Sequence, residues 1–241
     1  MSIFKTKKSL LFLLFCFLFP SPLHAEELIL KSFGHSKFLI EGGGHSILIN
    51  PFKATGCAAG LNDSTIINSD FIIASSRLAD EGYNPSNELM FVDPGTYKVN
   101  KLILNGIPIP HDRYEGRRYG MATVWSWNQG NSKIVHMGGA AGKISIKDQI
   151  LISRPDILFI SIGGGVKSYN GKEAALIVNM LKPQIVVPVH FLKDKKELQD
   201  CDFSSEDQFL DNVLDYQIKY VGDNFKLNPE KNKRKTIYIV K

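Results

Sequence analysis

The chain has 241 residues, of which 44% are hydrophobic and 22% are charged, and its formal net charge is +5. This length and apolar content are sufficient for one large domain with its own hydrophobic core. The charged fraction argues against a multi-pass membrane protein, and the apolar fraction argues against an intrinsically disordered chain. The positive balance would favour acidic partners such as nucleic acid, but much of it comes from the N-terminal segment.

Residues 1–25 have the pattern of a secretory signal peptide. Three lysines within the first eight residues precede an apolar run at 11–19, and the small residue Ala25 stands where cleavage would occur. A run of nine apolar residues is too short to span a bilayer as a lasting helix. We therefore predict an exported protein, periplasmic or secreted, with a retained N-terminal anchor as the alternative.

Removal of this segment changes the net charge of the chain and the number of its cysteines. It carries three of the 29 basic residues and no acidic one, so 26 basic and 24 acidic residues remain, a formal charge of +2. Nucleic acid is then no longer an expected partner, and no transmembrane span is expected. The segment also contains Cys16, which leaves Cys57 and Cys201. In an oxidising compartment this pair either forms a disulfide or remains as two separate thiols.

The first half of the mature chain is composed of short apolar runs bounded by Gly, Pro and Asn, a pattern typical of strands and turns. The predicted strands are 28–30, 37–40, 46–49, 70–74, 102–110, 123–128 and 133–135. The glycine triplet at 42–44 predicts a tight hairpin between the second and third of these. Trp125 and Trp127 alternate along one strand, so we expect both to face the core.

The second half predicts a helix between two buried strands, 156–162 and 184–187. Asn170 and Glu173 form a capping-box pattern at the start of this helix, and Pro183 ends it. Its buried face has the helical spacing i, i+3, i+4 and i+7, at Ala174, Ile177, Val178 and Leu181. A strand, a helix and a strand with short joins predict a parallel βαβ unit.

A second helix is predicted at 209–216 and a last strand at 236–240. No linker, repeat or low-complexity run divides the chain. We therefore expect a single mixed α/β domain over residues 26–241. Most of its histidines fall where a predicted strand begins or ends, which is where α/β folds place binding groups. These histidines are His35, His111, His136 and His190.

Several sequence blocks resemble the metallo-β-lactamase superfamily, and within it the UlaG-like hydrolases. They are Gly-His-Ser at 34–36, Ile-Leu-Ile-Asn-Pro-Phe at 47–52, Ile-Gly-Gly-Gly at 162–165 and Val-Pro-Val-His-Phe at 187–191. The resemblance extends over residues 28–192. It implies an αββα sandwich, in which two mixed sheets pack face to face with helices outside and metals bind at one edge.

The family's activity depends on a His-x-His-x-Asp-His motif, which together with other ligands holds two zinc ions that activate a water molecule. At the corresponding positions this chain has Ser76, Leu78, Asp80 and Glu81. Only the aspartate is retained. Leu78 has no atom that can bind a metal, and a serine hydroxyl is a poor zinc ligand.

The other family positions are partly retained. His111 and His190 match two of the family's histidine ligands, whereas Gly139 stands where an aspartate would bridge the two metals. Asn50 stands where an aspartate usually supports the ligands from outside. Four ligand positions and one supporting position have therefore changed. We interpret His35, in the first block, as structural.

These changes predict that the protein lacks the usual dinuclear activity and needs no cofactor. It would then be a catalytically impaired relative, a pseudoenzyme, that binds a small molecule or a protein ligand in the old cleft. The alternative is a hydrolase with one divalent metal, Zn, Mn or Mg, bound by Asp80, Glu81, His111 and His190. A third hypothesis is an envelope interaction module that uses the fold as a scaffold.

Two further groups of residues are candidates for the same face of the molecule. An anionic ligand could be held by cationic or imidazole groups, for which the candidates are Arg113, Arg117, Arg118 and His136. In the fold that the resemblance implies, Cys57 and Cys201 lie in loops that open on the metal face. A disulfide between them would pin these loops over the former active site.

Overall fold

A computed structural model describes residues 26–63, 67–85, 87–193 and 201–241. The predicted signal peptide, residues 1–25, lies outside the described residues. Within the described ranges, no helix is both long and apolar enough to cross a membrane.

The described chain forms two mixed β-sheets. The strands are β1 (Leu28–Ser32), β2 (Phe38–Gly42), β3 (His45–Ile49), β4 (Phe71–Ile73), β5 (Met90–Phe91), β6 (Gly95–Val99), β7 (Leu102–Pro110), β8 (Met121–Gln129), β9 (Ser132–His136), β10 (Ile157–Ser161), β11 (Ile185–Val189), β12 (Gln217–Val221), β13 (Asn224–Leu227) and β14 (Thr236–Val240). A six-stranded sheet has the order β13-β1-β2-β3-β4-β5, and an eight-stranded sheet has the order β12-β14-β11-β10-β9-β8-β7-β6. The strands predicted from the apolar runs are all present, and the short edge strands β5, β6, β12 and β13 are additional.

The hairpin between β2 and β3 forms at the glycine triplet, as predicted. Gly43 and Gly44 connect the strands with positive φ angles of 56° and 75°, which suit a two-residue hairpin turn. Gly43 is also required by a close approach, because a Cβ atom there would lie 2.4 Å from the backbone nitrogen of Gly130. The β2–β3 turn therefore packs directly on the turn between β8 and β9.

The main hydrophobic core fills the space between the sheets. Its largest fully buried side chains include Trp125, Trp127, Phe38 and Phe159. The two tryptophans share one face of β8, as their alternation predicted. Trp125 also donates a hydrogen bond of 2.8 Å from Nε1 to the carbonyl oxygen of Ala74. This bond ties the eight-stranded sheet to the end of β4, where the candidate site begins.

Within the part of the chain that the structure describes, three α-helices connect strands of the eight-stranded sheet. They are α1 (Ile146–Ile152), α2 (Gly171–Leu181) and α3 (Asp207–Leu210). Helix α2 joins β10 to β11, and these strands pair in parallel, so the predicted βαβ unit is confirmed. The buried residues of α2 pack with the outward side chains of β10 and β11 in a second apolar cluster. The two-sheet sandwich with helices outside matches the fold that the resemblance implied.

The prediction of a helix at 209–216 was wrong in its extent. Helix α3 ends at Leu210, and the chain continues in turns, with Asp215 at a positive φ of 66°. The apolar spacing that suggested a longer helix is real, since Phe209, Val213 and Tyr216 all pack against the second cluster. Turns place these side chains on the core equally well, and the left-handed backbone at Asp215 prevents a continuous helix.

Helix α2 begins with the predicted capping box. The Oδ1 atom of Asn170 accepts a hydrogen bond of 3.0 Å from the backbone N–H of Glu173, and the Glu173 carboxylate accepts one of 2.9 Å from the backbone N–H of Asn170. Because this cap follows the loop from β10, it also fixes where that loop ends.

The substitution Asn170→Ala is expected to lower the free energy of unfolding by about 1 kcal/mol, because the backbone N–H of Glu173 loses its acceptor. Urea unfolding followed by circular dichroism measures this change. Asn179→Ala, on the exposed face of the same helix, is the matched control. An equal effect of both substitutions would contradict a specific role for the cap.

Candidate functional site

The candidate site lies at one edge of the sandwich, where β3, β4, β7, β9 and β11 end. Asn50, directly after β3, holds the segment that follows β4. Its Oδ1 accepts a hydrogen bond of 2.8 Å from the backbone N–H of Ser75, and its Nδ2 donates one of 3.0 Å to the Ser75 hydroxyl. Asn50 is fully buried and has a positive φ of 45°, which asparagine tolerates better than most residues. It therefore orients the segment that carries Asp80 and Glu81.

Glu81 and His111 form a buried pair beneath this edge. Their side chains are 1% and 0% exposed, and Glu81 Oε1 lies 2.7 Å from His111 Nε2. This short contact between two buried groups is an ion pair. The other carboxylate oxygen, Oε2, accepts hydrogen bonds from the Ser75 hydroxyl and, at 3.0 Å, from the backbone N–H of Gly139. Each oxygen of the Glu81 carboxylate therefore has a partner, an imidazole on one side and hydrogen-bond donors on the other.

The charges of this pair follow from its surroundings. Burial alone would raise the pKa of Glu81, but the charge of His111 and the bond that it shares with the carboxylate outweigh burial and hold the pKa well below its usual range. Burial likewise acts to lower the pKa of His111, but the Glu81 carboxylate more than offsets it, so that this pKa is raised. Both shifts favour the charged form of the pair, a carboxylate with an imidazolium. An imidazolium has no free lone pair for a metal.

The Glu81–His111 ion pair also occupies the space that a side chain at position 139 would need. A Cβ atom built on Gly139 would lie 2.2 Å from His111 Cε1 and 2.3 Å from Glu81 Oε1. Gly139 is the position at which the resemblance places a metal-bridging aspartate. No side chain fits there while Glu81 and His111 keep these positions.

A second cluster lies beside the first and includes His35, for which the sequence predicts a structural role. One candidate ligand atom from each of His35, Asp80 and His190 lies within 4.8 Å of the others. The His35 and His190 rings are 4.1 Å apart between centroids, and the backbone N–H of His190 donates a 3.0 Å hydrogen bond to the carbonyl oxygen of His35. Both histidines have left-handed backbone, with φ angles of 55° and 57°. Such backbone is uncommon for histidine and is typical of functional sites.

The imidazoles of this cluster are neutral. Burial lowers the pKa of His35 to about 4, and burial together with the nearby His35 lowers the pKa of His190 well below its usual value. Within the described part of the chain, His35 Nε2 and both ring nitrogens of His190 are buried without a hydrogen-bond partner. Buried polar atoms without partners are rare. The four-residue ligand set considered from the sequence is thus divided, with Glu81 and His111 in one cluster and Asp80 and His190 in the other.

Lys167 completes the second cluster, and no sequence motif pointed to it. Its ammonium group forms an ion pair with the Asp80 carboxylate, and the two side chains are 25% and 18% exposed. Lys167 lies in the loop between β10 and α2, 87 residues from Asp80. Only the packing of this loop against the segment after β4 could bring the two charges together.

A cleft of about 360 Å³ opens next to this ion pair. Its lining carries charged and aromatic side chains, among them Asp80, Lys167, Asp202, Tyr119 and Phe203. A second cavity, of about 270 Å³, shares Cys57 and Phe203 with the first and reaches His35. Both volumes suit a small molecule or part of one.

A disulfide bond joins Cys57 to Cys201 and forms part of the walls of these cavities. The two residues are 144 positions apart in sequence, and their Cα atoms are 4.6 Å apart. Cys57 lies in a short 3₁₀ turn at Gly56–Ala58, after β3, and Cys201 lies between β11 and α3. The bond therefore links two loops above the site.

The remaining candidates for a ligand pocket are not among the residues that line the cleft. The Arg113 guanidinium binds both carboxylate oxygens of Glu173, at 2.9 and 2.6 Å, and the carbonyl oxygen of Gly165 at 2.8 Å. Arg117 and Arg118 are exposed, and neither lines the cleft beside Asp80. His136 is fully buried, and its Nδ1 accepts a hydrogen bond of 3.1 Å from the backbone N–H of Gly138. Arg113 therefore orders the loop that carries Lys167, and His136 lies in the core beneath the site.

A dinuclear zinc centre does not fit these residues. At the first metal position the imidazolium of His111 is paired with Glu81, Leu78 offers no ligand atom, and Gly139 cannot carry a bridging carboxylate. At the second position, neutral imidazoles and a carboxylate are available, but the carboxylate is paired with an ammonium group. The donor set allows one metal ion at most.

Comparison with known proteins agrees with this fold. Residues 29–190 match the β-lactamase superfamily domain family, which is more than half of the chain, and the protein belongs to this family. A UPF0173 protein of Pyrococcus abyssi is 26% identical over 180 residues, which cover 66% of this chain and 81% of that protein.

Two solved structures share the architecture. One, from Thermotoga maritima, is assigned to the Zn-dependent hydrolases of the metallo-β-lactamase superfamily. It has a TM-score of 0.68 and 22% identity, and the match covers 88% of this chain and 98% of that one. The other is an isothiocyanate hydrolase from Delia radicum gut bacteria, with a TM-score of 0.59 and 13% identity over 83% of this chain and 98% of that one. At these identities the likeness establishes the fold.

Removal of the disulfide, by Cys57→Ser together with Cys201→Ser, is expected to lower the free energy of unfolding by about 4 kcal/mol, because the unfolded chain regains the freedom of a long loop. Urea unfolding of the double variant and of the oxidised parent gives the difference. Addition of a reductant should shift the parent toward the variant and leave the variant unchanged. Equal midpoints for variant and oxidised parent would contradict a formed bond.

Loss of the buried carboxylate in Glu81→Gln is expected to lower the free energy of unfolding by about 3 kcal/mol, because His111 loses its counter-charge. The exposed Glu88→Gln is the matched control and should change stability little. In a double-mutant cycle with His111→Gln, we expect the two losses to be non-additive by about 1 kcal/mol or more. Strictly additive losses would show that the two side chains do not interact.

Proposed function

We propose that this protein is an exported member of the β-lactamase superfamily that binds a small polar molecule and has lost dinuclear metal-dependent hydrolysis. The observation that carries this proposal is the buried Glu81–His111 ion pair beside Gly139. In it, a histidine and an acidic residue at family ligand positions neutralise each other and fill the space of the bridging aspartate. A site of this kind is stable without metals.

The binding part of the proposal rests on the cleft above the ion pairs. It offers a carboxylate at Asp202, the Asp80–Lys167 pair, and the ring of Tyr119 within about 360 Å³. Opposite charges with an aromatic wall suit a small polar or zwitterionic compound better than an apolar one. Export is supported by the pattern of the first 25 residues and by the Cys57–Cys201 disulfide, since such bonds persist in oxidising compartments.

A hydrolase with a single metal is the second candidate function, and the cluster of His35, Asp80 and His190 favours it. Two neutral imidazoles and one carboxylate are a common ligand set for a divalent cation. Such an ion would supply an activated water molecule for hydrolysis. For this function, Asp80 would have to exchange Lys167 for the metal.

Metal content distinguishes the two candidates. The mature protein is equilibrated with Zn²⁺ or Mn²⁺, freed of unbound metal, and measured by elemental analysis. We expect far less than one metal ion per chain. About one ion per chain that is lost in Asp80→Ala and His190→Ala would establish the mononuclear site, and two ions per chain would contradict both candidates.

Ligand binding is tested by a thermal-shift screen of small carboxylates, amines and zwitterions. A compound that raises the melting temperature should lose this effect in Tyr119→Ala, which removes one wall of the cleft, and keep it in Tyr114→Ala, an exposed residue outside the cleft. A complete panel without any such compound would contradict small-molecule binding and favour a scaffold for protein contacts.

A further inference from the structure

We propose that the ammonium group of Lys167 is a built-in replacement for a metal ion, which neutralises Asp80 and keeps the His35–Asp80–His190 cluster from binding divalent cations. This inference rests on the proposed loss of metal-dependent hydrolysis. It explains how a cluster with three potential ligands can persist without a metal.

The imidazole nitrogens of the cluster are unpartnered. His35 and His190 are buried, and within the described residues His35 Nε2 and both ring nitrogens of His190 have no hydrogen-bond partner. Such imidazole nitrogens are the atoms through which histidine binds a metal. What the cluster lacks is a free carboxylate, because Asp80 is engaged by Lys167.

The charge of Lys167 acts directly on the cluster. An ammonium group at hydrogen-bond distance from Asp80 repels any cation that approaches the same carboxylate. A divalent ion at the cluster would face this charge across a few ångströms of partly buried space, where screening by water is weak.

The fold holds Lys167 in place. Its carbonyl oxygen lies 3.0 Å from Nδ1 of His111, the same imidazolium that is paired with Glu81. On either side of it, Arg113 donates hydrogen bonds to the carbonyl oxygens of Gly165, at 2.8 Å, and Ser168, at 2.9 Å. The Lys167 side chain is thus presented from an anchored loop.

These contacts connect the two charge pairs. His111 supplies a positive charge to Glu81, and its other ring nitrogen contacts the carbonyl oxygen of the residue that supplies a positive charge to Asp80. Each acidic residue at the family's motif positions therefore has a cationic side chain of this chain as its counter-ion. His111 and Lys167 thus supply the positive charges that two metal ions would supply.

The test is a gain of metal binding when Lys167 is removed. Lys167→Ala frees the Asp80 carboxylate, and Lys167→Met does so while it keeps most of the apolar stem near the ring of Tyr119. Lys167→Arg keeps the charge, and Lys172→Ala, at an exposed position of α2, is the matched control. The probes are Co²⁺, whose visible absorption reports its ligands, and Zn²⁺, followed by calorimetry, both with the disulfide intact.

We expect Lys167→Ala and Lys167→Met to bind one ion per chain about a hundredfold more tightly than the parent, because the repelling charge is gone. Lys167→Arg and Lys172→Ala should bind as weakly as the parent. The added substitution Asp80→Asn should abolish the gain. Circular dichroism of each variant confirms that it is folded, and the methionine variant serves if the alanine variant is not.

The outcomes separate this inference from the proposed function. If no folded Lys167 variant binds metal better than the parent, the role of Lys167 is overturned while the metal-free function stands. If the parent itself binds one ion tightly through Asp80 and His190, both are overturned. If Lys167→Arg gains metal as Lys167→Ala does, the positive charge is not the cause and the inference fails.

Discussion

The arrangement of the site depends on one constraint, which is that a buried carboxylate must be neutralised. Glu81 is 1% exposed and lies against His111, with further hydrogen bonds from Ser75 and Gly139. An unpaired charge at such a position would cost several kcal/mol, about as much as a typical domain can lose before it unfolds. In this fold, metal ions would ordinarily supply the positive charge. Here a protonated imidazole supplies it, and the glycine at position 139 leaves room for the pair.

Several neighbouring contacts connect the Glu81–His111 pair to the loop that carries Lys167. His111 reaches Glu81 through one nitrogen and the Lys167 loop through the other, and Arg113 ties the same loop to the capped start of α2. The cleft lies above these contacts, closed on one side by the Cys57–Cys201 disulfide. Its floor is therefore cross-linked and contains paired charges, as the proposed ligand-binding function requires.

Much of the fold could be predicted from the sequence, because its elements carry local signals. The glycine triplet predicted the β2–β3 hairpin, Asn170 and Glu173 predicted the start of α2, and the buried runs on both sides predicted the parallel βαβ unit. Edge strands such as β5 were not predicted, since two residues leave no periodic pattern. The overlong helix at 209–216 shows the opposite failure: an apolar spacing that turns satisfy as well as a helix does, with Asp215 in a left-handed conformation.

The sequence by itself determined that the usual ligand motif is incomplete, because the side chains of Leu78 and Gly139 offer no ligand atom in any conformation. It also determined which acidic and imidazole groups remain. Only the tertiary structure decided how these groups pair: Glu81 with His111, Asp80 with Lys167, and His35 beside His190. The partners come from loops up to 155 residues apart, as with His35 and His190. Pairing over such distances is set by the packing of the two sheets and by burial, and neither leaves a mark in the local sequence.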